Sequence, residues 1–161
     1  MKLPQIFIIG DTHFNHEAME KLCGRPKNHT ELTIENWRRA VRPCDTTFHL
    51  GDVIFNRAGE LKILLDSISG RKILVRGNHD TRSLHWYLSH GFDFACDSFT
   101  YGDLYFTHIP ALSLPVGCSV NIHGHLHNTG HREHKAEIWH RLFCLENVGY
   151  RPVELTEFLK R

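Results

Sequence analysis

Ile6-Phe7-Ile8-Ile9-Gly10-Asp11-Thr12-His13 decides how the rest of the chain is read: a short apolar strand stops on a glycine and delivers two metal-binding side chains. The arrangement recurs four more times. Thr47-Phe48-His49-Leu50-Gly51 leads into Asp52, and Ile73-Leu74-Val75-Arg76-Gly77 into Asn78 and His79. Leu104-Tyr105-Phe106-Thr107 runs into His108, and Val120-Asn121-Ile122-His123-Gly124 into His125 and His127. Runs rich in Ile, Val, Phe and Tyr, closed by Gly or polar residues, read as buried strands, so these polar groups fall at strand exits. In open α/β sheets the carboxyl ends of strands are where sites are built. Five exits carrying Asp, Asn and His predict one metal centre.

Outward from these runs, helical spacing alternates with them through the first half. Leu32, Ile34, Trp37, Ala40 and Val41 predict a helix capped near Thr30 or Thr33 and ended by Pro43. Leu61, Leu64, Leu65 and Ile68 predict another from Glu60 to Ile68, stopped at Gly70, and a third is expected near Arg82 to Ser89. Lys21, Gly24, Arg25, Pro26, Lys27 and Asn28 read as a long polar loop, a length that signals function. From Phe92 onward, Phe94 to Cys96, Phe99 to Tyr101, Leu104 to His108, Ser119 to His123 and Leu142 to Val148 read as strands. Pro152 to Arg161 reads as a turn and a short amphipathic helix. Alternating β and α units followed by mainly strands predict a mixed α/β architecture.

The 161 residues suffice for one buried core, which predicts a single domain over residues 1–161. With 41% hydrophobic and 23% charged residues, the composition excludes a disordered chain. Nineteen Lys and Arg against 18 Asp and Glu leave no strong field for polyanions, so sequence-independent binding to nucleic acid is not expected. No run approaches the roughly 18 apolar residues of a membrane span. Met1 to Gln5 pass straight into the first strand, so a soluble, cytoplasmic protein is expected. Five cysteines without a C-x-x-C pair read as reduced thiols.

In order, Asp11-x-His13, Gly51-Asp52, Gly77-Asn78-His79-Asp80, His108 and Gly124-His125-x-His127 resemble the signature of the calcineurin-like metallophosphoesterase superfamily: D-x-H, G-D, G-N-H-[D/E], H and G-H-x-H. Among 14 histidines a lone H-x-H arises by accident, whereas five pieces in order over residues 11 to 127 do not. The resemblance implies a four-layer sandwich, two mixed β-sheets flanked by α-helices, with the site at one edge. It also implies that Asp11, His13 and His127 hold one divalent metal and Asn78, His108 and His125 a second, with Asp52 bridging them. A hydroxide shared by the metals would attack phosphorus, Asn78 would help stabilise the phosphoryl oxygens, and His79 would protonate the leaving oxygen or steady the transition state. The donor types agree with this. Imidazole, carboxylate and amide oxygen without thiolate suit Mn, which is favoured, and also Fe, Zn, Ni, Co or Mg. Seven ligands exceed what one open site takes and suit two ions about 3.5 to 4 Å apart, the spacing that clamps an in-line displacement at phosphorus. An ordinary imidazole titrates near roughly 6.5, which lets a histidine hold the required proton near neutrality. Asp80 reads either as a support for His79 or as the cap of the following helix.

Further residues carry two readings each. His16, in a D-T-H-F-x-H pattern similar to compact bacterial and phage members, reads as a substrate-phosphate contact or a solvated loop histidine. Arg25 and Arg57 read as phosphate-binding guanidiniums or surface arginines. His131, His134 and His140 are expected to be exposed, His49 and His123 structural, and Trp37, Trp86 and Trp139 core or rim aromatics. Gly51-Asp52-Val53-Ile54-Phe55-Asn56-Arg57 departs from the G-D-x-x-D-R-G of the Ser/Thr protein phosphatase branch. The resemblance therefore implies a small phosphorylated substrate or nucleotide, with diester and monoester both open. Only Glu17 to Glu31 and Ile109 to Ser119 are long enough to serve as a cap, which predicts an open site. The alternatives are a non-catalytic metal-binding interaction module of the same fold and a nuclease acting on polynucleotide ends.

Overall fold

The computed structural model describes residues 3–128 and 137–160. Apolar runs and helical segments alternate as β1 (Ile6–Ile9), α1 (Met19–Cys23), α2 (His29–Ala40), β2 (Thr46–His49), α3 (Leu61–Asp66), β3 (Arg71–Val75), α4 (Leu84–Ser89) and β4 (Phe94–Cys96). There follow β5 (Ser98–Tyr101), β6 (Leu104–Thr107), β7 (Val120–His123), β8 (His140–Leu142), β9 (Val153–Glu154) and α5 (Leu155–Phe158). Two mixed sheets result. The first runs β4-β3-β2-β1-β9, parallel except for β9. The second runs β5-β6-β7-β8, parallel except for the β5–β6 pair.

Strand alternation explains the layers, because successive side chains point to opposite faces. On β2, Thr47 and His49 face the helices: Trp37 Nε1 on α2 donates to Thr47 Oγ1 at 3.2 Å, and the Trp37 ring lies 6.0 Å from that of His49. Phe48 points the other way, edge-on to Phe99 of β5 and Phe106 of β6 at 4.9 and 5.1 Å. Burying such aromatics contributes about 1.5–3 kcal/mol each, so this seam holds the sheets together. Helices α2 and α3 bury the predicted faces, Ile34 and Trp37 on one and Leu61 and Leu65 on the other. On the far side of the second sheet, segment 109–119 is tied down where Ala111 N donates to Asn121 Oδ1 of β7.

Four sequence expectations change. The polar loop after β1 contains the short helix α1. Helix α2 begins at His29, ahead of the expected cap, and the Thr30 hydroxyl instead accepts from Asn15 N. Leu142 to Val148 is only the end of β8 and a 3-10 turn at Glu146–Val148, because its buried Phe143, Cys144 and Leu145 pack as irregular chain. The tail contributes β9, an antiparallel edge of two residues that is too short to leave a period-two signature. Among the described residues no helix is long and apolar enough to cross a membrane.

Candidate metal centre

Five strand exits converge on one edge of the sandwich. The turns after β1 and β2 continue the parallel ladder beyond the strands: Asp11 N donates to Gly51 O and His13 N to Asp52 O, both at 2.9 Å, and Phe14 N to Val53 O at 2.8 Å. This pairing holds an unusual backbone. Asp11, His13, Asp52, His125 and His127 all have positive φ, between 44° and 71°. Such conformations cost on the order of 1–3 kcal/mol each and persist only where the surroundings over-determine them. Asp and His tolerate them better than most residues.

The side chains meet in two groups. One atom each from Asp11, His13 and His127 lie within 4.8 Å of one another, and so do those of Asp52, His108 and His125. Asn78 joins the second group, its Oδ1 2.8 Å from His108 Nε2. One atom touches both groups, since Asp52 Oδ2 is 3.5 Å from His13 Nε2 and 3.3 Å from His108 Nε2. Ligands sharing one ion at about 2 Å each stand on the order of 3 Å apart, so these spacings suit cations between them. His13 Nε2 is buried without a hydrogen-bond partner among the described residues. Leaving a buried polar atom unsatisfied costs about 1–3 kcal/mol, a cost that a bound cation removes.

Electrostatics point the same way. Burial opposes charge on His108, but Asp52 and Asp11 overcome it and raise its pKa to about 9, the mark of a negative potential that a cation satisfies. Burial raises Asp11 to about 6 even though His108 and His127 pull it down. Burial also pushes Asp52 up, but the His108 hydrogen bond and neighbouring imidazoles hold it well below the usual carboxylate range. Burial keeps His13 far below its ordinary value and therefore neutral, as a metal ligand must be.

Each carboxylate is seated on a glycine. A Cβ on Gly77 would run into the Asp52 carboxylate, and one on Gly124 into that of Asp11, so the glycines of both motifs are demanded by close approach. His108 is aimed by the backbone: Nδ1 lies 2.7 Å from Leu50 O, which accepts its proton and turns Nε2 inward. Buried His49 is structural as expected. Its Nδ1 accepts from Gly51 N at 3.1 Å, which leaves Nε2–H to donate to Thr12 Oγ1 at 3.0 Å, and the Thr12 hydroxyl in turn donates to Val53 O.

Asp80 does something the sequence did not suggest. Its carboxylate accepts from Asp52 N at 2.7 Å, Gly77 N at 2.8 Å and Val53 N at 3.0 Å, clamping the β2 and β3 exits together. The cap of α4 is Ser83, whose hydroxyl accepts from Trp86 N, so the cap reading of Asp80 does not hold. His79 is exposed with its ring 5.7 Å from that of His13, and its backbone N–H donates to Asp52 Oδ1 at 2.9 Å. His16 stands at the rim, stacked on half-exposed Phe55 with ring centres 3.8 Å apart.

Arg25 requires a correction. It is 1% exposed, and its guanidinium donates to Thr12 O, Asp11 O and the Glu146 carboxylate, so it is committed behind the ligands and cannot reach a substrate phosphate. Glu146, which no sequence motif indicated, therefore belongs to the centre: its Oε1 is 3.3 Å from His127 Nδ1. Burial pushes the Cys144 thiol up to about 12, and it donates to Glu146 Oε2. Arg57 is a surface residue near Glu60. His140, expected to be exposed, is half-buried in β8 with Nε2 2.9 Å from Ala111 O, while His131 and His134 lie outside the described residues. Trp37 is a core residue, and Trp86 and Trp139 are half-buried. Beside Asn78 and His108 opens a cleft of about 490 Å³ lined also by Arg76, Tyr105, Thr107 and Ile109. Among the described residues no second folded unit covers the centre.

The family model described as calcineurin-like phosphoesterase matches residues 4–157. An uncharacterized protein of Methanocaldococcus jannaschii is 40% identical over 86 residues, which are 50% of this chain and 49% of that protein. The match thus spans about half the length of that curated relative. The crystal structure of a protein of unknown function from Aquifex aeolicus aligns with a TM-score of 0.76 at 27% identity, covering 98% of each chain. A nuclease from Pseudomonas putida aligns with a TM-score of 0.49 at 21% identity over 76% of this chain and 60% of that one.

Proposed function

The chain belongs to the calcineurin-like phosphoesterase family, and from that premise we propose that it is a two-metal phosphoesterase, with manganese the favoured metal and a small phosphodiester or nucleotide the favoured substrate. The observation that carries the reading is Asp52 Oδ2, a single oxygen facing the ligands of both groups at 3.5 and 3.3 Å. When bound, two divalent cations supply Lewis-acid charge for the phosphoryl oxygens and lower the pKa of water.

The chain supplies the rest. Asp11, His13 and His127 would hold one cation and Asn78, His108 and His125 the other, with Asp52 common to both. Asn78, exposed beside the cleft, presents its amide N–H to a phosphoryl oxygen. His79, exposed above His13, gives a proton to the leaving oxygen. His16, its ring 5.5 Å from that of His13 and stacked on Phe55, stands beside the first group, where one ester substituent would rest. A cleft of about 490 Å³ accommodates a substituent of nucleotide size on the other, which supports a diester over a monoester. Five free cysteines support a reducing cytosol as its compartment.

The test is hydrolysis of bis(p-nitrophenyl) phosphate and of its monoester by metal-free protein resupplied in turn with Mn, Fe, Zn, Ni, Co and Mg. Mn is expected to give the highest rate, on the diester, and Asp52→Asn to lower kcat/KM at least about 10³-fold by removing the charge both cations share. Wild-type protein as inert as Asp52→Asn with every metal would overturn the catalytic reading in favour of an interaction module. A rate falling steeply with salt on oligonucleotides would redirect it to a nuclease.

A further inference from the structure

Behind the first ligand group lies a buried ion pair that the proposed reaction does not use. Arg25 and Glu146 side chains are 0% and 4% exposed, with Arg25 Nη2 2.7 Å from Glu146 Oε1. Arg25 Nε also donates to that oxygen at 2.8 Å, while Nη1 and Nη2 donate to the carbonyls of Thr12 and Asp11 at 2.8 and 2.7 Å. Glu146 Oε1 is 3.3 Å from His127 Nδ1, and Cys23 completes a group that could in itself suggest a third cation. The guanidinium argues against one, because it already places a fixed positive charge on the carboxylate.

The geometry favours one tautomer of His127. A neutral imidazole carries one proton, and Nε2 is the nitrogen turned to the first group, 3.8 Å from Asp11 Oδ1. With Nε2 as the metal-facing atom, the proton sits on Nδ1, 3.3 Å from Glu146 Oε1, a carboxylate oxygen that can only accept. The same guanidinium grips the backbone of the Asp11-Thr12-His13 turn, so one pair controls all three ligands of that group. In the second group His108 is aimed by Leu50 O and Asp52 by the Asp80 clamp, neither hydrogen-bonded to this pair among the described residues, while His125 N donates to the Asp11 carboxylate at 3.0 Å.

We infer that Arg25 and Glu146 are positioning residues for one of the two metal positions, aiming His127 and setting the Asp11-Thr12-His13 turn, and that they act on that position alone. The inference rests on the two-metal reading above. Its test is calorimetric titration of the metal-free protein with Mn²⁺, independent of turnover. Wild type is expected to show two binding events. Glu146→Gln, which keeps the shape but loses the charge, is expected to weaken one event about 10- to 100-fold and leave the other within about twofold. His127→Ala should remove the same event, identifying it. Because a lone charge left buried can unfold a protein, the paired variant Arg25→Met with Glu146→Gln removes both charges and should show the same selective loss. Equal weakening of both events, or no change in either, overturns the inference. Wild type that takes up no Mn²⁺ overturns the two-metal reading itself and the inference with it, a result distinct from unselective weakening.

Discussion

The two groups of candidate ligands hold their histidines by different means. In the Asp52, Asn78, His108, His125 group the supports are hydrogen bonds with backbone groups: Leu50 O, on the other sheet, receives the His108 Nδ1 proton, and Asp80, two residues beyond Asn78, gathers three N–H groups from two strand exits. In the Asp11, His13, His127 group the support is a buried ion pair, Arg25 and Glu146, which are 121 residues apart. A backbone partner is present whatever the side chains are. An ion pair depends on both side chains, and it buries two charges whose separation is costly. The shared Asp52 joins a half held through backbone groups to a half held by an ion pair.

The largest expected effect strikes the half held through backbone groups. Asp80→Ala leaves three backbone N–H groups at the β2 and β3 exits without their acceptor, at about 1–3 kcal/mol each. A loss of at least about 3 kcal/mol is expected, read as a fall in Tm of roughly 6–12 °C, with Mn²⁺ binding lost at the second position first. A Tm within a degree of wild type would show that the clamp is redundant and that the two halves are supported alike.

Next come the two glycines. Gly77→Ala would drive a methyl group into Asp52, which belongs to both groups, whereas Gly124→Ala would drive one into Asp11, which belongs to one. Displacing a ligand by about 1 Å can cost 10²-fold in rate, so both variants should be slow by about that factor. The comparison is sharpened by metal content: the first is expected to lose both cations and the second only one. Equal losses in both variants would mean that the halves are not separable.

How much of this the chain discloses in advance follows the same division. Asp11, His13, Asp52, Asn78, His108, His125 and His127 were legible because each lies within a few residues of the end of an apolar run, where strand pairing alone determines its place. Most strands were legible as apolar runs, apart from β8 and from β9, whose two residues gain their conformation from pairing with β1, while their assembly into two mixed sheets was implied by the family resemblance. Glu146 carried no signal, because its role depends on packing against Arg25 from α1's C-terminal side, and nothing in Cys144-Leu145-Glu146-Asn147 distinguishes it from a surface turn. Arg25 itself was noticed and read as a phosphate contact or a surface arginine, since charge is visible in a sequence and burial of a loop arginine is not. The Asp80 clamp was missed through the helix-cap habit of Asp before a helix, although Ser83 fills that place.

The smallest expected effect supplies a control at the opposite end of β2. Asp45 precedes that strand and, like Asp80 beyond it, gathers backbone N–H groups, from Gln5 and Arg42, each at 2.9 Å. It differs in having a cation: Arg42 Nε and Nη2 reach it at 2.9 and 2.7 Å. The Arg42 hydrogen bonds hold its carboxyl well below the usual range against the opposing push of burial. A carboxyl depressed in the folded state stabilises above its unfolded pKa of about 3.9 and loses that contribution as pH falls through the folded value. Asp45→Asn should therefore lower Tm by about 2–4 °C at pH 7, and the gap to wild type should narrow progressively below about pH 4 and stay constant between pH 6 and 8. Mn²⁺ binding at both positions should be untouched, because no ligand loop hangs on this end of the strand. A change in metal affinity in Asp45→Asn would show that strain travels the length of β2, and that the ligand end is not held by its own local contacts.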